Sequence, residues 1–195
     1  MTKQRSMGAR KQDTLIKGQN TAPYTNRTIA LVGLMGAGKS TVGRRLAEAL
    51  GRDFCDSDDE IEKAAGLAIA DIFTLHGEPE FRRGEKRVLE RLLENPPHVL
   101  ATGGGAYLDP DTRALLREHA ITVWLNADLE TLWERVNKRN HRPLLKNPDA
   151  RGVLTRLLEE RTPIYSKADL VIDSMDGPHS TTVNKIVAAL KGWTP

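Results

Sequence analysis

GLMGAGKS occupies residues 33–40, and the architecture of the whole chain can be inferred outward from it. An apolar run, Ile29-Ala30-Leu31-Val32, comes directly before it, and the apolar residues of the following segment, 41–50, recur at helical spacing. The order strand, glycine-rich turn, helix is the setting in which the GxxxxGK[ST] pattern forms a phosphate-binding loop. The sequence therefore predicts a nucleotide site between the first strand and the first helix, rather than a chance match in a turn.

The residue types in this loop suit phosphate chemistry. Glycines allow backbone N–H groups to approach phosphate oxygens closely, and the following helix adds the positive end of its dipole. Lys39 supplies a point charge for the β- and γ-phosphates, and the Ser40 hydroxyl can ligate Mg²⁺. We therefore expect a nucleoside triphosphate and magnesium to bind here.

Length and composition indicate one α/β domain. The chain has 195 residues, 39% hydrophobic and 28% charged, and no apolar run approaches the length of a membrane span. Cys55 is the single cysteine, so an internal disulfide is impossible. This cysteine usage predicts a reducing compartment and a cytoplasmic location, with no membrane partner.

The charge is unevenly distributed. Residues 1–27 carry six Lys or Arg side chains against one acid, Asp13, whereas the remainder carries 23 basic and 25 acidic residues. The near-neutral remainder argues against a nucleic-acid partner. We interpret residues 1–27 as a basic, disordered extension, with an organellar transit peptide as the alternative, and residues 28–195 as the folded domain.

Strand-like and helix-like segments alternate along that domain. This alternation predicts a parallel sheet covered by helices on both faces, with ligands at the carboxyl ends of the strands. Predicted helical segments include 59–65, 69–76, 80–93 and 153–161, with a break expected at Gly77 between 69–76 and 80–93. The predicted strands cover residues 28–32, 54–55, 98–102, 121–125 and 170–172.

Residues 139–149 form a different kind of segment. They are polar, basic and proline-containing, and they follow a predicted helix. We interpret them as a mobile lid that brings Arg142 over the transferring phosphate.

Two further loops follow predicted strands. Asp56 and Asp58 stand two residues apart, so one carboxylate can support Mg²⁺ while the other orients or deprotonates an acceptor hydroxyl. Their alternative role is an acidic helix start.

The triplet Gly103-Gly104-Gly105 exposes N–H groups that can bind a carboxylate or hydroxyl, although it could also be only a flexible turn.

Arg82 lies in the segment EFRRGE, early in a predicted helix, where a cation opposes the local dipole. Such a position suggests that it binds an anion, and Glu85, three residues on, could hold it in place. The alternative is a surface charge pair. Arg142 and Arg161 carry the same two interpretations, and Arg135 could lie near the nucleotide base or be solvated.

Taken together, these motifs resemble the shikimate kinase family over about residues 28–192. The agreement is in order along the chain: GLMGAGKST at 33–41, DSD at 56–58, GEPEFRRGE at 77–85, ATGGGA at 101–106, RPLL at 142–145 and ERTPIY at 160–165. The resemblance implies a three-layer P-loop kinase fold with a five-stranded parallel sheet, helices on both faces and a mobile lid.

The resemblance also implies an activity, ATP-dependent phosphorylation of the 3-hydroxyl of shikimate in aromatic amino acid biosynthesis, by a monomer that uses Mg²⁺. It assigns catalysis to Asp58, Lys39 and Arg142, with Asp58 as the base. It implies that ATP is bound by Gly36, Ala37, Gly38, Lys39, Ser40, Thr41 and Arg142. It implies that shikimate is bound by Asp58, Arg82, Gly104, Gly105 and Arg161. It implies that Mg²⁺ is bound by Ser40 and, through water, by Asp56.

Two other functions are compatible with the phosphate loop. A gluconate or nucleoside monophosphate kinase shares the loop and lid, but the combination of FRR and GGG argues against it. A nucleotide-dependent binding switch would not need the arginines expected to bind the acceptor and the phosphates. The chain departs from the family at residues 173–179, where no basic residue aligns, so the residues that hold the adenine ring are not assigned.

Overall fold

The computed structural model describes residues 23–138, 148–174 and 177–194. Its sheet has five parallel strands in the order β2-β3-β1-β4-β5, which confirms the predicted sheet and all five predicted strands. The strands are β1 (Thr28–Val32), β2 (Phe54–Asp56), β3 (Val99–Ala101), β4 (Ala120–Asn126) and β5 (Leu170–Asp173). Every residue of β1 is buried, as expected for a central strand covered on both faces.

Seven α-helices connect and cover the strands in the described part of the chain. They are α1 (Lys39–Leu50), α2 (Ser57–Ala65), α3 (Ile69–Leu93), α4 (Pro110–His119), α5 (Leu129–Asn137), α6 (Ala150–Tyr165) and α7 (His179–Lys191). Two 3-10 turns, Pro23–Asn26 and Ala106–Leu108, complete these elements. None of the helices described is both long and apolar enough to cross a membrane.

Helix ends differ from the predicted ones where side chains cap them. Helix α2 begins at Ser57 rather than 59, because Asp56 Oδ1 accepts a hydrogen bond from Asp58 N at 3.1 Å. Helix α6 begins at 150 rather than 153, since the Asp149 carboxylate accepts from Gly152 N at 3.1 Å. Gly77 interrupts α3 with φ 76° and ψ 170°, so the predicted break is confirmed.

Residues that precede β1 also contact the domain. Arg52 donates hydrogen bonds to the carbonyl oxygens of Tyr24 at 2.9 Å and of Thr25 and Arg27 at 2.8 Å. Arg27 in turn donates to carbonyls at the end of α4, including Glu118 O at 2.8 Å. Residues 24–27 are therefore tied to the domain, which the predicted boundary at 28 did not include. Residues 1–22 and 139–147, with Arg142, lie outside the described residues.

The strand order places the important loops together. Strands β2, β3 and β1 are neighbours, and the acidic pair, the glycine triplet and the phosphate loop follow them in that order. Because all three strands are parallel, these loops emerge at the same edge of the sheet.

Candidate active site

A cavity of about 300 Å³ opens at this edge of the sheet. Eight of the predicted site residues line it: Gly36, Gly38, Lys39, Ser40, Thr41, Asp56, Asp58 and Gly104. Five further residues also line it: Met35, Thr102, Arg135, Lys138 and His179. Of these, only Arg135 was considered from the sequence, as a side chain that could lie near the nucleotide base. Residues from three different loops thus share one cavity.

The phosphate loop is held in a left-handed conformation at two glycines. Gly36 has φ 86° and Gly38 has φ 95°, values that L side chains rarely adopt. A Cβ built on Gly36 would also lie 3.0 Å from Val136 Cγ2, so a side chain has no room. Lys39 Nζ donates to Gly33 O at 2.7 Å and Leu34 O at 3.1 Å, which folds the ammonium back across the loop.

Ala37 occupies a different place in the loop. Its side chain is buried, its N–H donates to Leu34 O at 3.2 Å, and its carbonyl accepts from Ser174 Oγ at 3.2 Å. It does not belong to the cavity lining, so its assignment to ATP stays a prediction.

Ser40 and Asp56 are in direct contact, with Ser40 Oγ donating to Asp56 Oδ2 at 2.7 Å. The other oxygen of Asp56 caps α2, so this carboxylate both starts a helix and faces the cavity. The described residues contain no group of three or more His, Cys, Asp or Glu side chains able to hold a metal. A hydroxyl and a carboxylate without a full protein cage fit Mg²⁺, which keeps waters and phosphate oxygens as ligands.

Asp58 has the electrostatics of a general base. Burial, followed by the negative charge of Asp56, raises the pKa of Asp58 to about 6, although Lys39 opposes the shift. A carboxylate with a pKa near 6 is largely ionised at neutral pH and is still basic enough to accept a proton.

The glycine triplet is packed between charged groups. A Cβ built on Gly103 would lie 2.7 Å from Asp58 Oδ1 and 2.9 Å from Glu85 Oε1, and one on Gly105 would lie 2.8 Å from Arg82 Cζ. Only glycine therefore lets this turn approach both carboxylates and the guanidinium. Ser57 Oγ accepts from Gly103 N at 3.0 Å and so fixes the start of the turn.

Glu85 holds Arg82, as the spacing suggested. Arg82 Nη1 donates to Glu85 Oε2 at 2.7 Å, and Arg82 Nη2 donates to the exposed Glu78 at 3.1 Å. Burial raises the pKa of the Glu85 carboxyl, while the positive charge of Arg82 opposes that rise. The Arg82 guanidinium is thus fixed beside Gly105, next to the cavity.

Arg161 lies on α6, beside the hydroxyl of Tyr165. That hydroxyl donates a hydrogen bond to the carbonyl oxygen of Gly104. Arg82, Arg161 and Gly105 do not line the 300 Å³ cavity, but Gly105 packs against Arg82 and directly follows Gly104, which does line it. The structure therefore places the residues predicted for an acceptor carboxylate next to the predicted phosphate site.

Three nitrogen-bearing side chains, Arg135, Lys138 and His179, line another part of the cavity, and no role was predicted for Lys138 or His179. Arg135 Nη1 donates to Ser174 Oγ at 3.2 Å, which places it over the phosphate loop, and Lys138 and His179 lie nearby. Burial and the charges of Arg45 and Arg135 lower the pKa of His179. His179 occupies the segment that departs from the family, and only the position of α7 beside α1 brings it to the cavity.

The chain is similar to known proteins of one family. Residues 35–191 match the family model described as shikimate kinase. A shikimate kinase from Caulobacter vibrioides is 52% identical over 176 residues, 90% of this chain and 88% of that protein. The structure of shikimate kinase from Acinetobacter baumannii in complex with shikimate is 40% identical, with a TM-score of 0.82 over 87% of this chain and 95% of its own.

A gluconokinase from Sinorhizobium meliloti is similar in fold alone, at 21% identity and a TM-score of 0.59 over 85% of this chain and 92% of its own. The match to the family model and the identity to its members, over most of the chain, settle the family. The chain belongs to the shikimate kinase family.

Proposed function

We propose that this protein transfers the γ-phosphoryl group of ATP to the 3-hydroxyl of shikimate, giving shikimate 3-phosphate and ADP. One observation carries the proposal: the phosphate loop, Asp58 and Gly104 line the same cavity. A phosphoryl donor and a hydroxyl acceptor bound there would lie side by side, as phosphoryl transfer requires. We place this reaction in aromatic amino acid biosynthesis.

On the nucleotide side, the backbone of residues 36–41 and the ammonium of Lys39 bind the ATP phosphates. Lys39 is already folded over the loop by its bonds to two carbonyl oxygens, so little reordering is needed. Ser40 and Asp56, which are hydrogen-bonded to each other, would hold Mg²⁺, and the ion would supply positive charge that offsets the negative charge of the phosphates. Arg135, Lys138 and His179 form the distal wall of the nucleotide site.

On the acceptor side, Asp58 accepts the proton of the attacking hydroxyl. Its pKa of about 6 keeps it ionised at neutral pH, and it lies in the first turn of α2, directly after β2. Arg82 and Arg161, with the backbone of Gly104 and Gly105, bind the shikimate carboxylate. The buried Glu85 keeps Arg82 in the required position.

The remaining assignments rest on the sequence. Arg142, in the predicted lid of residues 139–149, would stabilise charge on the transferring phosphoryl group. We further propose a cytoplasmic monomer with no nucleic-acid or membrane partner.

A coupled assay of ADP formation tests the function. ATP turnover is measured with shikimate, gluconate, a nucleoside monophosphate and no acceptor. We expect turnover that depends on shikimate. Equal rates with and without acceptor would instead identify a nucleotide-dependent switch, and a preference for gluconate or the nucleotide would identify the other kinase classes.

A further inference from the structure

Tyr165, the last residue of α6, contacts the centre of the glycine triplet. Its side chain is only 1% exposed, and its hydroxyl donates a hydrogen bond to Gly104 O. Gly104 itself lines the cavity. A buried hydroxyl from a distant helix thus fixes the backbone of an acceptor-site loop.

The ring of Tyr165 is held by aromatic packing. It stacks on Trp124 of β4 at a centroid distance of 6.0 Å and on Tyr107 at 6.4 Å. Trp124 also packs beside the start of the phosphate loop, since a Cβ built on Gly33 would lie 3.2 Å from Trp124 Cδ1. Because Trp124 lies on the inner strand β4 and Tyr107 is buried in the 3-10 turn Ala106–Leu108, the direction of the Tyr165 hydroxyl is determined by packing.

The carbonyl that Tyr165 binds belongs to the same peptide unit as the N–H of Gly105. A trans peptide is planar, with its C=O and N–H on opposite sides, and the described chain contains no cis peptide. Holding Gly104 O toward α6 therefore directs the Gly105 N–H away from α6. Gly105 is the glycine that packs against the Arg82 guanidinium.

Both arginines predicted for the acceptor carboxylate are close to this hydroxyl. Arg161 precedes Tyr165 by four residues on α6, so the two side chains share a helix face. The Arg161 guanidinium lies beside the Tyr165 oxygen, and the positive charge of Arg82 also acts on it. One hydroxyl thus binds Gly104, lies beside Arg161 and is within range of the charge of Arg82.

We propose that Tyr165 is a positioning residue of the acceptor site, which orients the Gly104–Gly105 peptide and the Arg161 guanidinium for an anionic carboxylate on the acceptor. The inference rests on the proposed function and deepens it. Tyr165 does not touch the reacting atoms. Its hydroxyl acts on acceptor affinity through the groups that bind the carboxylate.

Tyr165→Phe tests this role, because it keeps the stacked ring and removes only the hydroxyl. Tyr107→Phe is the matched control: Tyr107 is equally buried and stacks on the same ring, but its hydroxyl lies beside Thr122. Steady-state KM and kcat are measured for both substrates, with shikimate affinity by calorimetry and melting temperature for each variant.

We expect Tyr165→Phe to raise KM and Kd for shikimate about tenfold, the usual effect of losing a hydrogen bond next to charge. KM for ATP and all constants of Tyr107→Phe should stay within twofold of the parent. The methyl ester of shikimate, which lacks the carboxylate charge, gives a second measurement. The ratio of the Kd of Tyr165→Phe to the Kd of the parent should fall toward one when the ligand is the ester.

Three results would overturn the role of Tyr165: unchanged shikimate affinity in Tyr165→Phe, equal losses for both substrates, or an equal loss for shikimate and its ester. A general destabilisation would produce the last two. Failure of the parent protein to phosphorylate or bind shikimate would instead refute the proposed function, and it is seen before any variant is compared.

Discussion

Arg82 and Glu85 form a hydrogen-bonded ion pair one helical turn apart, with Nη1 2.7 Å from Oε2 and the Glu85 side chain only 4% exposed. A buried carboxylate is costly unless a cation accompanies it, and a cation early in a helical segment opposes the dipole. Each residue therefore compensates for the unfavourable position of the other, and the pair presents a fixed guanidinium beside Gly105.

Replacing Glu85 by Gln should separate the two consequences of its charge. Arg82 loses its buried partner, so KM for shikimate should rise about tenfold while KM for ATP stays unchanged. Because the negative charge of Glu85 raises the pKa of Asp58, the acidic limb of the kcat profile should move to lower pH. Glu78→Gln is the control, since Glu78 also pairs with Arg82 but is 64% exposed. An acidic limb that does not move would contradict this coupling.

Asp58→Asn should lose activity and gain stability. The pKa of Asp58 lies near 6 in the folded protein against an ordinary 3.8, so the folded state binds the proton more tightly. Its contribution to stability is therefore complete below pH 4 and is lost as pH rises to about 6, a cost on the order of 2 kcal/mol. We expect Asp58→Asn to melt above the parent at pH 8 and close to it at pH 4.

The same variant should slow single-turnover phosphoryl transfer by about 10²- to 10⁴-fold, with normal ATP binding. Near-normal transfer would show that Asp58 positions the acceptor without acting as the base.

Arg82→Ala should weaken shikimate binding far more than ATP binding, because an arginine–carboxylate contact is directional. Arg161→Ala should behave in the same way. Arg83→Ala provides a neighbouring control, since Arg83 is 62% exposed and pairs with Glu80. Calorimetry with each ligand measures the effect, and equal weakening of both ligands would indicate that Arg82 and Arg161 are structural.

Lys39→Ala should lower kcat by about 10²-fold or more while the protein stays folded. The ammonium balances phosphate charge, and without nucleotide it also satisfies two loop carbonyls, so a small fall in melting temperature is expected. Lys63→Ala, at an exposed ion pair, controls for loss of charge. Turnover close to that of the parent would contradict the phosphate-loop assignment.

Truncation should distinguish the extension from the ordered start of the domain. Removing residues 1–22 should leave kinetics and melting temperature nearly unchanged, since this segment has few apolar groups. Removing residues 1–27 should lower stability by about 1–3 kcal/mol, because Arg52 loses its three carbonyl partners. Equal melting temperatures for the two truncations would show that these contacts contribute nothing.

Local signals explain which parts of the fold were predictable. The strands appear as short apolar runs, and the break at Gly77 follows from a residue that tolerates a positive φ. Helix α2 begins two residues before its predicted start. Asp56, which the sequence predicts as a loop carboxylate after β2, also caps this helix. One residue performs both tasks, which a segment-by-segment interpretation separates.

The covalent order of residues was sufficient to identify the phosphate loop, the acidic pair, the glycine triplet and the Arg82–Glu85 spacing, because each depends on neighbours within a few positions. The roles of His179, Arg135 and Tyr165 depend instead on packing between α7, α5, α6 and the sheet edge. Burial has the same origin: the pKa of Asp58 is shifted because folding removes water from it and brings Asp56, Lys39 and Glu85 around it. The amino-acid sequence determines which side chains are available, whereas solvent exclusion and contacts between residues far apart in sequence arise only when the chain is folded.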